Sequence, residues 1–362
     1  MKMMWMLAFM LLPVLAMAYI GWHVWVLLPC HWVWKLVAVV LMVASFLMMF
    51  TIRGTLDRLP LELATATYEL GTSSIFVLLY LFMTFMVLDL GRLVRLVPRA
   101  FLYNNMYTAV GIGVLLFGLF LYGNLHYRHK YREALTVRSE KVTKPVRLLM
   151  ASDLHLGYHN RRAELARWVD MMNREHADAI LIAGDIIDMS MRPLQDERMA
   201  EEFHRLEAPV YACLGNHEYY SSEPAARQFY RDAGIHLLQD SAAVLGEVCI
   251  LGRDDRTNLR RKSVKALAAQ ADRHRFTILL DHQPYHLEHA EQAGLDFQMS
   301  GHTHHGQVWP ISWITDAIYE CAFGSHKRGR TDYYVSSGLG IWGGKFRIST
   351  RSEYVVLTVN PQ

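Results

Sequence analysis

"VRLLMASDLH" (146–155) is an apolar run closed by an aspartate and a histidine two positions apart, and endings of this kind recur along the chain. "ADAILIAGDIID" (177–188) closes on Asp185 and Asp188, and "PVYACLGNHE" (209–218) on Asn216 and His217. "FTILLDHQP" (276–284) carries His282, and "LDFQMSGHTHHG" (295–306) carries His302 and His304. Short apolar runs bounded by turn residues read as buried strands. Their alternation with helical patterns predicts an α/β layered domain over residues 145–362. In such folds ligands sit in the crevice beyond the carboxyl ends of the strands. A single Asp or Asn after a strand is explained as a turn former. Five endings in metal-ligand residue types are not explained that way.

Residues two apart in an extended segment project to the same side. Asp153 and His155 are therefore expected to face one ion together, as are His302 and His304, while His305 points away.

The series D-x-H (153–155), G-D-x-x-D (184–188), G-N-H-E (215–218), the lone histidine of "LDHQP" and G-H-T-H (301–304) resembles the calcineurin-like metallophosphoesterase superfamily, over about residues 146–362. The words "SGHTHHGQVWP" (300–310) and "YVSSGLGIWGGKFRI" (334–348) resemble its membrane-associated bacterial branch, which includes UDP-2,3-diacylglucosamine pyrophosphatase-like enzymes. Two departures stand out: His305 replaces a glycine of the branch, and "TRSEYVVLTV" (350–359) replaces a more usual proline-glutamate. Neither falls on a position the resemblance makes a ligand.

The resemblance implies a four-layer α/β/β/α sandwich with two mixed sheets. It further implies one metal on Asp153, His155, Asp185 and His304, and a second on Asp185, Asn216, His282 and His302, with Asp185 bridging. His217 would stabilise the transition state or protonate the leaving oxygen, a task suited to an imidazole. Asp188 is read either as orienting a ligand or as a helix N-cap. Arg253, beside Asp254 and Asp255, is read as part of a solvated charge pair outside the site. The aromatics of "IYECAF" (318–323) and "GIWGGKF" (340–346) are read as packing. Two divalent ions about 3.5 to 4 Å apart lower the pKa of a water and clamp a phosphoryl oxygen for in-line attack. Mixed imidazole and oxygen donors suit Mn, Fe or Zn better than Mg or Ca.

The front of the chain differs in kind. Hydrophobic residues make up 52% of the 362, and the mean hydropathy is positive, above what an ordinary soluble domain carries. The excess lies in residues 1–126, in four apolar stretches at 6–29, 32–50, 73–90 and 106–125. Each is near the ~20 residues that cross a bilayer. Ala16-Met17-Ala18 mimics a signal-peptide cleavage site, but the apolar run continues through Leu28, so the segment is read as a helix. Four spans place both ends of the chain on one side. That side carries Lys2, Arg53, Arg58, Arg128, Lys130, Arg132, Arg138, Lys141 and Lys144, against Lys35, Arg92, Arg95 and Arg99 on the other. The excess predicts a cytoplasmic catalytic domain on the inner membrane. Residues 127–144 are read as a basic, solvated juxtamembrane linker, with contact to anionic headgroups as the sharper alternative.

The four cysteines form no CxxC, and a net charge of +3 with no basic, aromatic-lined groove gives no reason to expect nucleic acid. The expected function is a membrane-embedded, dinuclear-metal phosphoesterase acting on a phosphodiester or pyrophosphate. The branch resemblance implies a lipid-linked substrate such as a UDP-diacylglucosamine-type lipid A precursor, with membrane lipids as neighbours. The alternatives are a phosphodiesterase or phosphatase of soluble substrates such as cyclic nucleotides, and a non-catalytic membrane scaffold. A scaffold has no need of a complete ligand set.

Overall fold

The computed structural model describes residues 2–51 and 54–362. Arg53, one of the charges flanking the expected spans, lies outside them, and the Lys2 side chain is not described either. The chain divides into two units, Met1–Asn124 and Leu125–Gln362.

The first unit is helical: α1 (Lys2–Leu27), α2 (Trp32–Met48), α3 (Leu61–Leu93) and α4 (Met106–Arg128), the last turn of α4 belonging to the second unit. Among the described residues α3 and α4 are long and apolar enough to cross a membrane, whereas Leu11–Leu27 of α1 and the whole of α2 are shorter apolar helices. Leu28-Pro29 ends α1, because proline lacks the N–H that would continue it. α3 begins after Pro60, twelve residues before the expected 73; Glu62, Thr65, Thr67 and Glu69 hide those turns from a hydropathy reading. Exposed side chains such as Val87, Leu90, Val114 and Phe117 give these helices an apolar exterior, as lipid requires. Asp89, the acid near the end of α3, accepts from Tyr19 Oη, lies 2.9 Å from His23 Nε2 and pairs with Arg92.

The second unit holds twelve strands: β1 (Lys130–Ser139), β2 (Val146–Ala151), β3 (Ala179–Ala183), β4 (Val210–Cys213), β5 (His236–Leu237), β6 (Ser241–Leu245), β7 (Val248–Gly252), β8 (Phe276–Leu280), β9 (Phe297–Ser300), β10 (Gly324–Arg328), β11 (Thr331–Val335) and β12 (Ser352–Pro361). They form two mixed six-stranded sheets, ordered β1-β12-β2-β3-β4-β5 and β10-β11-β9-β8-β7-β6. Strand periodicity sorts the side chains into layers. In β2, Leu148 and Met150 enter a core shared with Leu181, Ile250, Ile278, Met299 and Leu357 from both sheets. Leu149 and Ala151 face the other way, against Leu165, Trp168 and Val169 of α5 (Arg162–Asn173) and against Phe229. A third core covers the outer face of the second sheet, where Leu251, Leu279 and Val335 meet Leu267, Leu287 and Ala290 of short helices.

The linker expected over 127–144 is corrected by β1. Residues 130–139 pair in parallel with β12, from Lys130↔Ser352 to Ser139↔Pro361, and the unit they belong to begins at Leu125, some twenty residues before the expected 145. An edge strand carries charges on its outward positions to block further pairing, and that pattern reads as a linker. Leu135 and Val137 nevertheless pack against the inter-sheet core.

Glu175, just past α5, anchors this edge. Its carboxylate accepts from Arg132 Nε of β1 (2.9 Å), Arg147 Nη2 of β2 (2.7 Å) and Tyr354 Oη of β12 (2.7 Å). Burial alone would raise its pKa, but Tyr354, Arg132 and Arg147 outweigh burial and hold the group below the ordinary value. A depressed carboxylate stabilises the fold above its unfolded pKa and loses that contribution as pH falls through the folded one. Glu175→Gln is therefore expected to cost about 2 kcal/mol at neutral pH. The gap in thermal midpoint between the variant and the parent should close in acid; a gap equal at pH 7 and pH 3 would contradict this role.

Candidate metal centre

Five loops at the carboxyl ends of β2, β3, β4, β8 and β9 converge on one buried site. Asp153 and His155 follow β2, Asp185 and Asp188 follow β3, Asn216 and His217 follow β4, His282 follows β8, and His302 and His304 follow β9. The loops after β2 and β3 are tied by Asp153 N–H to Gly184 O (3.1 Å) and His155 N–H to Asp185 O (3.0 Å).

The extended geometry expected for the paired residues is not found. Asp153, His155, Asp185, His302, His304 and His305 all adopt positive φ, between 46° and 71°. This left-handed backbone is uncommon outside glycine and concentrates at functional sites. The turns bring the side chains over the ends of the sheets, and they separate His302 from His304. His304 joins Asp153 and His155; His302 joins Asp185 and His282. In each of these two triads one ligand-type atom per residue lies within 4.8 Å of the others. His305 stands outside both, stacked on Phe323 and 3.2 Å from Asp316 of the helix Ile311–Ile318.

Asp185 faces both triads. Its Oδ2 lies 3.1 Å from His282 Nε2 and 3.7 Å from His155 Nε2, and its Oδ1 accepts the His217 N–H at 2.9 Å. His282 Nδ1 donates to Ala183 O at 2.8 Å, which turns Nε2 into the site as the atom that would face a metal. Asn216 Oδ1 is buried and has no hydrogen-bond partner among the described residues. An orphaned amide oxygen beside such triads is what a cation would satisfy.

Asp188 does not sit at a helix N-cap, since the next helix begins at Arg192. Its Oδ1 lies 3.0 Å from His217 Nδ1 and 3.3 Å from His155 Nδ1, so one carboxylate oxygen aligns two imidazoles. Arg253 is also corrected: it is buried, pairs with Asp281 at 2.9 Å and donates to Lys262 O. Asp254 instead accepts from Tyr219 Oη.

Charge is distributed as a cation site needs. Burial would raise Asp153, Asp185 and Asp188, but the facing imidazoles hold all three well below the ordinary carboxylate range. Burial, with His282 nearby, pushes His302 down to about 4, and burial pushes His304 well down. Both are thus neutral, the form that binds metals. The other two imidazoles are shifted the opposite way: against burial, Asp153 and Asp188 raise His155 to about 10 and Asp185 raises His282 well above the ordinary histidine value, so a cation binding there displaces their protons. Carboxylates, imidazoles and one amide oxygen make a mixed set suited to borderline divalent ions.

Two supporting residues, one of them the last residue of the G-N-H-E motif, were given no role by the sequence reading. Buried Glu218 accepts from the N–H groups of Gly215 (2.7 Å), Asp185 (3.2 Å) and Ile187 (3.0 Å), clamping two of the loops together. Arg347, also buried, donates to His304 O (2.7 Å), to the carbonyls of Ser337 and Gly340 and to Ser352 Oγ. It fixes the metal loop to the segment before β12. Gly215 and Gly301 leave room for ligands: a β-carbon there would overlap the Asp185 and Asp153 carboxylates.

Paired carboxylate–imidazole clusters at the strand ends of two facing sheets define a metal-dependent hydrolase centre. Residues 146–306 match the family model of the calcineurin-like phosphoesterases, a family that uses two divalent metals. It is 27% identical over 265 residues to a Helicobacter pylori (strain J99) protein named an uncharacterized metallophosphoesterase, covering 71% of each chain. It is 28% identical over 258 residues to a Campylobacter jejuni protein named in the same way, covering 68% of this chain and 69% of that one. A zebrafish protein named "Transmembrane protein with metallophosphoesterase domain" is 30% identical over 227 residues, 58% of this chain and 52% of that one. The match thus spans about half of the zebrafish protein. With two membrane-length apolar helices, the last likeness suggests membrane association.

Proposed function

We propose that this chain is a four-span membrane phosphoesterase whose dinuclear centre hydrolyses a lipid-linked phosphodiester or pyrophosphate at the membrane surface, with its catalytic unit on the cytoplasmic side. The observation that carries the chemistry is the nested pair of triads, Asp153/His155/His304 and Asp185/His282/His302, with Asp185 facing both. These residues and Asn216 would hold the two metals, which supply Lewis acidity toward a phosphoryl oxygen and lower the pKa of the attacking water. His217, oriented through Nδ1 by Asp188, keeps Nε2 for the leaving oxygen.

The lipid part of the reading is supported by the helix Ile311–Ile318. It follows the metal loop, is joined to it by the His305–Asp316 contact, and exposes Trp313 (64%), Ile314 (57%) and Ile318 (57%). An amphipathic helix with tryptophan on its apolar edge lies in the interfacial layer of a bilayer. Its position is also tied to the end of α4: Trp309 N–H bonds Ile348 O, and His126 Nδ1 lies 3.2 Å from the carbonyl of the neighbouring Arg347. The triple variant Trp313→Ser/Ile314→Ser/Ile318→Ser is expected to lower hydrolysis of a vesicle-borne phosphodiester by roughly tenfold or more and to leave hydrolysis of soluble bis-p-nitrophenyl phosphate unchanged. Equal loss on both substrates, or on neither, would favour a soluble substrate.

A further inference from the structure

A second cleft of about 690 Å³ lies within the catalytic unit, between the segment Tyr127–Lys130 and the helix α5. Its size is that of a small-molecule site, and none of the metal-centre residues line it. Arg128, Lys130, Arg167, Arg174 and Lys345 line it, against the single carboxylate of Glu164.

Arg167 and Arg174 are seven positions apart, two turns of helix, and so share a face. Both are exposed, and among the described residues no carboxylate lies within 4 Å of either guanidinium. Glu164 is engaged by Lys345 at 3.3 Å. The Lys130 ammonium sits 3.6 Å from the Tyr127 ring centre and donates to Tyr127 O. Burial pulls that ammonium well below the ordinary lysine value, and Arg347, Lys345 and Arg167 add to the effect, with Glu164 opposing it. Lys130 is thus drawn toward its neutral form and Lys345 is offset by Glu164, which leaves the exposed Arg167 and Arg174 as the cations that the cleft presents. Trp168, Met171 and Tyr354 supply apolar wall beside the cations.

We propose that this cleft is a second anion site that takes the phosphate of an acidic phospholipid headgroup. The phosphate chemistry follows from the cleft alone, since arginine pairs with phosphate oxygens bidentately. The lipid source rests on the membrane reading given above: Tyr127 and Arg128 close α4, so the cleft opens where that helix ends.

The test uses the full-length protein in neutral detergent, in the Asp185→Asn background so that no ligand is turned over. Calorimetric titrations with dihexanoyl phosphatidylglycerol, dihexanoyl phosphatidylcholine and inorganic phosphate separate the sources. Phosphatidylglycerol is expected to bind most tightly, and Arg167→Gln/Arg174→Gln to weaken it roughly tenfold or more with an unchanged thermal midpoint. Arg198→Gln, at an exposed arginine away from the cleft, is expected to leave binding as it was. Inorganic phosphate binding as tightly as the lipid, and equally sensitive to the double variant, would keep the anion site and overturn its lipid source, a result that bears on the membrane reading alone. Affinities for lipid and phosphate that are the same with and without the two arginines would overturn the site itself, leaving the metal centre untouched.

Discussion

Asp185→Asn is expected to leave the protein folded, to reduce its bound metal from two equivalents to one or fewer, and to lower phosphodiester hydrolysis by roughly 1,000-fold or more. The reason is positional. Asp185 is the carboxylate that faces both triads, with Oδ2 within 3.1 Å of His282 and 3.7 Å of His155. Its ionised form is held by the surrounding imidazoles, His282 foremost, against the cost of burial. An amide at this position removes the charge and puts N–H donors or a weaker oxygen where a shared anionic oxygen is needed. The fold should survive, because the Asp185 backbone is held separately, by Glu218 at its N–H and by His155 at its carbonyl. Metal content by mass spectrometry and rate measured on one preparation decide the matter. Two retained equivalents with an unchanged rate would remove Asp185 from the centre.

His217→Ala is expected to separate metal binding from turnover. Both equivalents should remain, since His217 lies beside the triads and its side chain is positioned by Asp188 at 3.0 Å. The rate should fall roughly 100-fold. The size of the fall should depend on the leaving group. An alkoxide needs a proton from Nε2 as it departs, whereas p-nitrophenolate departs almost without help, so the loss should be larger for an alkyl diester. A merely structural histidine would lower both rates by the same factor, and such uniform loss would reject the proton-donor role.

What could be read from the sequence follows from how each element is buried. β2, β3 and β8 are covered on both faces, so Leu148 and Leu149 are both apolar although they enter different cores. Such runs are visible as strands without knowledge of the fold, and the ligand types at their ends were visible with them. β1 was not legible, because Arg132, Ala134, Thr136 and Arg138 occupy its solvent side and only its pairing with β12 makes it a strand. Pairing partners more than two hundred residues apart leave no local trace.

The site was legible in its residue types and not in its geometry. An extended backbone would have placed His302 and His304 on one ion; left-handed turns at both positions send them to different triads. Arg347 and Glu218 were missed for a related reason. Each acts on backbone groups brought to it by the fold: four carbonyls for Arg347 and three N–H groups for Glu218. Only burial without a lone charged partner marks such residues, and burial is a tertiary property. Arg253 shows the converse: its sequence neighbours Asp254 and Asp255 suggested a surface pair, yet its partner is Asp281, on the strand-end loop that carries His282.

The measurement that tests the central claim most directly is a metal titration of activity. The detergent-purified, full-length protein, stripped of metal by a chelator, is titrated with Mn²⁺ while hydrolysis of bis-p-nitrophenyl phosphate is followed. A dinuclear centre on the two triads predicts no hydrolysis without metal and a rate that reaches its maximum at two equivalents. Hydrolysis that survives complete metal removal, or that is already full at one equivalent, would contradict it.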